Sequence, residues 1–151
     1  MNRCPRIDVT KTLGELTGVD WGPVPDDPRV SVHERHVTRR KPLGKWTNRE
    51  LIRFLCIVGE GEEILVPVAI ERIEADLLAA SGSRRGELLG AVLEAGGFNW
   101  RACPECVRHI RELCGRAISQ LREDESHDSL VAELHLFRSL SIFERRLSVV
   151  E

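Results

Sequence analysis

The chain has 151 residues, of which 42% are hydrophobic and 30% charged, with a formal net charge of −2 at pH 7. That length buries one ordinary core without crosslinks or a metal, and its longest apolar runs, such as ILVPVAI, fall far short of the roughly 20 residues of a membrane span. Five cysteines, an odd number, and an opening MNRCPRIDVTK without the apolar centre of a signal peptide argue against a secreted disulfide framework. The expected setting is therefore reduced and cytoplasmic, with no membrane association.

The signals along the chain are helical almost throughout. TKTLGELTG predicts a short helix stopped by Gly18, and VDWGPVPDDPR follows with three prolines that forbid regular structure. VSVHERHVTRR reads equally as helix or strand. After Lys41-Pro42, Thr47 with Glu50 three positions on forms a capping box that opens the run Leu51, Ile52, Phe54, Leu55. The loop VGEGEE leads to ILVPVAIERIEADLLAA, where Leu65, Ala69, Ile73 and Leu77 recur every four residues; Pro67 is expected in the first turn, where its missing N–H costs little.

GELLGAVLEAGG predicts a further helix closed by glycines, and a long one runs from Pro104 to about Arg122. DSLVAELHLFRSL and SIFERRL supply the last helical region, with a candidate break near Ser139 or Ser141. No repeat or linker divides residues 1–151, so the expectation is one all-α domain of about six to eight helices. Its core is assigned to Leu51, Leu55, Leu65, Ala69, Ile73, Leu77, Leu89, Val92, Ile110 and Leu121.

Charge is unevenly spread. Between Arg29 and Arg53 stand eight basic residues (Arg29, Arg35, Arg39, Arg40, Lys41, Lys45, Arg49, Arg53) against Glu34 and Glu50. From Glu60 to Asp76 the balance reverses, with Glu60, Glu62, Glu63, Glu71, Glu74 and Asp76 against Arg72 alone. Such polarity suits a charged protein partner at least as well as nucleic acid, or lets the two faces pair with each other.

ACPECVRHIRELC, residues 102–114, raises the question of a metal, since thiolate and imidazole are the usual zinc ligands. Pro104 at a first helical position puts Cys103 at the N-cap, and Cys106, Ile110, Cys114, Ile118 and Arg122 follow at intervals of four. Eight residues of helix separate Cys106 from Cys114 by about 12 Å, so those two cannot share one ion. A site would need Cys103 and Cys106 to meet His33 and His36 of HERH. The simpler reading makes Cys103, Cys106 and Cys114 structural, packing as small hydrophobes, with no metal and no cofactor. Walker, dinucleotide, H-E-x-x-H and nucleophile-elbow motifs are missing, and no enzymatic activity is expected. With no tyrosine and 5% aromatics, stacking surfaces for single strands are sparse, so nucleic acid is not an expected partner.

KTLGELTGVDWG, RRKPLGKWTNRELIRFL, ILVPVAIERIEADLLA and GELLGAVLEAGGFNWRACPECVRHI, in this order, resemble the immunity proteins of bacterial contact-dependent growth inhibition systems. Thr12, Leu13, Leu16, Trp21, Pro42, Leu43, Thr47, Leu51, Leu65, Pro67, Ala69, Leu88, Leu89 and Trp100 stand in the matching places. The resemblance covers about residues 10–112; the helices of 115–151 lie outside it. It implies a protein that binds and neutralises a cognate toxin domain, commonly a nuclease, by covering its active site.

An electropositive nuclease site would attract an acidic patch, here Glu60, Glu62 and Glu63, joined by Asp26 and Asp27, with Trp21 as an aromatic anchor. The competing reading of Trp21 and Trp100 is packing between helices. The alternative function is a helical nucleic-acid-binding regulator that uses the basic segment 29–53.

Overall fold

The computed structural model describes residues 4–82 and 84–149. Among them the chain forms seven α-helices and no sheet; the only strand-like pairing is an isolated bridge between Thr12 and Pro42.

Helix α1 (Leu13–Thr17) starts at a Thr12–Glu15 capping box and ends at Gly18, which takes the left-handed conformation at φ 74°. Both ends follow the local signals. The ambiguous segment resolves as helix α2 (Val30–Arg39). Helix α3 (Asn48–Arg53) opens at Thr47, whose hydroxyl accepts from the Glu50 N–H while the Glu50 carboxylate accepts from the Thr47 N–H. It then widens into a π turn over Phe54–Val58, closed by the Gly59 N–H donating to the Phe54 carbonyl at 2.8 Å.

Helix α4 (Glu62–Ala75) begins earlier than expected, so Glu62 and Glu63 lie in its first turn and Pro67 in its second. Gly61, at φ 68°, turns the chain sharply enough to start the helix there, and two carboxylates beside the N-terminal dipole favour that start. Pro67 withholds the N–H that would have bonded the Glu63 carbonyl. The helix tolerates this because Leu65, Val66, Val68, Ala69, Ile70 and Ile73 are all buried.

Helix α5 (Glu87–Glu94) is the innermost element, with every residue from Leu88 to Leu93 buried, and it packs against α3, α4 and α7. Helices α6 (Pro104–Glu123) and α7 (His127–Ser148) form an antiparallel pair. The face Cys106, Val107, Ile110, Leu113, Cys114, Ala117, Ile118 and Leu121 is buried, as the four-residue spacing predicts. Helix α7 runs unbroken through Ser139 and Ser141.

Ser139 is buried at the crossing with α5, where its hydroxyl donates to Glu94 Oε2 at 3.1 Å. A Cβ on Gly90 would stand 3.3 Å from that hydroxyl, so the glycine permits the close crossing. Serine therefore serves packing here and does not end the helix. Nine of the ten assigned core residues are buried; Leu77, past the end of α4, packs against the core only in part. Trp100 is buried edge-on between Phe98 and Phe143, which favours the packing reading for this ring.

Candidate functional site

Of the residues assigned to an acidic binding surface, Glu62 is withdrawn into the fold and Glu60 and Asp27 are held in ion pairs. Glu60 pairs with Arg39, and Glu62 turns inward, 6% exposed, with Oε2 buried and unbonded beside Gly97. Only Glu63 stays exposed. The early start of α4 is the cause, because consecutive helical positions point about 100° apart, so Glu62 turns inward while Glu63 faces solvent instead of both lying in one loop. Asp26 is exposed, whereas Asp27 is gripped by the Arg29 guanidinium at 2.8 and 3.1 Å, which holds its carboxyl down at about 2.

Trp21 is half-buried, with the Arg39 guanidinium 4.9 Å from its ring centre. Arg39 is itself 7% exposed and also pairs with Glu60, so it links the proline loop, α2 and the α3–α4 connection. This is a packing role for the ring, which stays partly exposed.

Half of the basic residues in the segment 29–53 are paired with carboxylates of the same chain, mostly at the surface. Arg29, Arg39, Lys41 and Arg53 pair with Asp27, Glu60, Glu50 and Glu34 respectively. Arg40 donates to the Gly22 carbonyl at 3.1 Å. A cleft of about 350 Å³ opens between α2 and α3, lined by His33, Glu34, Arg35, Arg49, Glu50 and Arg53, with charges of both signs. A phosphate would meet carboxylates there as well as guanidinium groups.

Three sulfurs meet where the N-terminal segment crosses the start of α6. Cys4 Sγ lies 2.6 Å from Cys106 Sγ, and the sulfurs of Cys4, Cys103 and Cys106 all fall within 4.8 Å of one another. Cys103 and Cys106 are joined as a disulfide, which departs from the expectation of wholly reduced cysteines. Cys103 takes the N-cap position, and Cys106 faces the core one turn on, so the Cys-x-x-Cys spacing brings the two together.

Burial, aided by the Glu74 carboxylate, pushes the Cys4 thiol up to about 11. His33 and His36 stay on α2 and are not members of this group; His109 is bonded to Glu74 at 2.6 Å. Cys114 is buried alone, its thiol pushed up to about 11 by burial and then by Glu144, as the packing reading expects.

A surface that the sequence reading left aside lies on the last two helices. Leu130, Leu134 and Phe137, one face of α7, are 55%, 69% and 40% exposed. Exposed Glu123, Glu125 and Asp128 flank the α6–α7 turn beside them. Arg122 ties the two regions together, pairing with Glu133 and standing 5.5 Å from the Phe137 ring centre. The i, i+4, i+7 spacing was available in DSLVAELHLFRSL, but Leu136 and Ala132 mark a second apolar face, and only packing shows which of them turns inward.

Comparison of the chain with protein-family models, with curated proteins and with solved structures finds no match. No helix among the described residues is long and apolar enough to cross a membrane.

Proposed function

We propose that this protein is a binding module that neutralises a toxin domain of a contact-dependent growth inhibition system by covering its active site, most simply that of a nuclease. The role rests on the ordered motifs quoted above. The observation that carries the location is the exposed stripe Leu130, Leu134 and Phe137 on α7, bordered by Glu123, Glu125 and Asp128.

Apolar side chains at this spacing on a solvated helix offer a partner a buried centre, and the acidic border steers an electropositive surface towards it. The site thus shifts from Glu60, Glu62 and Glu63 to the C-terminal helices, while Glu63, Asp26 and the partly exposed Trp21 remain as secondary contacts. The regulator alternative is the weaker reading, because Arg29, Arg39, Lys41 and Arg53 already have carboxylate partners.

The test is co-expression with candidate toxin domains, followed by co-purification and a growth-protection assay. Leu134→Glu with Phe137→Glu should abolish capture, and Glu123→Lys with Glu125→Lys should slow association most at low salt. All four side chains are exposed, so circular dichroism should be unchanged. Full protection by both double variants would move the interface elsewhere. Failure to bind any toxin domain, together with salt-dependent binding to DNA or RNA, would transfer the function to the regulator reading.

A further inference from the structure

We infer that Cys4, Cys103 and Cys106, in their reduced state, form a tris-thiolate site for a zinc-class ion. The three sulfurs are mutually within 4.8 Å. A tetrahedral ion with bonds of about 2.3 Å to each needs sulfurs roughly 3.8 Å apart, so a small adjustment seats the ion between them. The donors come from distant parts of the chain, with 102 positions between Cys4 and Cys106, so the ion would pin the N-terminal segment to the start of α6.

The start of α6 suits the charge on two of the three donors. Cys103 caps α6, a helix of 20 residues, and Cys106 lies in its first turn, where the positive end of the helix dipole favours thiolates. Cys106 is fully buried, whereas Cys4 and Cys103 are only partly buried; that side admits the ion and leaves its fourth position to water. Thiolate donors without carboxylates select soft or borderline ions over magnesium and calcium. Cys56 is exposed and Cys114 is buried apart, so neither belongs to the group.

The Cys103–Cys106 disulfide is the oxidised form and cannot hold the ion. Two electrons from a dithiol or phosphine reductant, with two protons, return it to two thiols. Binding then releases the protons of the three thiols as the sulfur–metal bonds form.

The full-length protein, reduced and kept free of oxygen, is titrated with cobalt(II), followed by zinc. The expected result is one equivalent of cobalt with a thiolate-to-metal charge-transfer band, displaced by zinc and lacking in oxidised protein. Cys4→Ser, Cys103→Ser and Cys106→Ser should each lose the band, whereas Cys56→Ser and Cys114→Ser should keep it. In the wild type, bound zinc should shield Cys4, Cys103 and Cys106 from alkylation while Cys56 reacts, a readout that does not depend on how the variants fold. No band in reduced wild type, a band that survives Cys4→Ser, or alkylation of the three cysteines unaffected by zinc would each overturn the assignment.

Discussion

Replacing Glu50 by Gln probes the junction that fixes α2 against α3. One oxygen accepts from the Thr47 N–H at 3.0 Å and from Lys41 Nζ at 2.7 Å, and the other accepts from the Thr38 hydroxyl at 2.7 Å. Burial pushes this carboxyl up, but the bonds from Lys41, the Thr47 backbone and Thr38 outweigh it and hold the pKa at about 2, against an ordinary 4.5.

A folded pKa below the unfolded one means stability that is present above pH 4.5 and lost as pH falls towards about 2. Fully expressed, that gap corresponds to roughly 3 kcal/mol. Lys41 is 36% exposed and Glu50 20%, so solvent screening lowers the expected contribution to about 1–2 kcal/mol.

Gln keeps the shape and most of the hydrogen bonds but cannot carry the charge. Urea unfolding at neutral pH should therefore find Glu50→Gln less stable by about 1–2 kcal/mol. The difference should persist down to about pH 5 and shrink steadily from pH 4.5 towards 2, because the wild-type carboxyl is protonated there. Equal stability at neutral pH, or a deficit that does not change with pH, would refute the assignment of this stability to the ionised carboxylate.

Gly61→Ala should cost about 2–3 kcal/mol by thermal or urea unfolding, since the residue sits at φ 68° and its new Cβ would approach Leu13 Cδ1 to 2.8 Å. Cys114→Ser should lower stability by about 1–3 kcal/mol, because the hydroxyl enters an apolar position. Glu144→Gln should change stability by at most about 1 kcal/mol, and less at high salt. Its bidentate pairing with Arg111 at 2.7 Å lies in solvent, with the two side chains 43% and 48% exposed.

The all-α class, the Thr47–Glu50 capping box, the Gly18 stop and the buried face of α6 were legible in the sequence, because each depends on residues within a turn or two of one another. Packing decided the rest. Val30–Arg39 is helix, with Thr38 and Arg39 bonded to Glu50 and Glu60 on other elements, a fact that no local period contains. Ser139 looked like a break and proves to be the contact that lets α7 cross Gly90.

Glu60, Glu62 and Glu63 look alike in the sequence, yet one is paired, one buried and one free, because backbone geometry at Gly59 and Gly61 aims each differently. The metal question turned on Cys4. The helical spacing of Cys106 and Cys114 keeps those two apart, whereas the third thiol beside Cys103 and Cys106 comes from the other end of the chain and has no local signature. Apart from Val30–Arg39, sequence determines which segments become helices and where their apolar residues recur, since those are short-range properties. Which charges meet, which apolar face stays open on α7, and which sulfurs converge are long-range outcomes that only the folded chain decides.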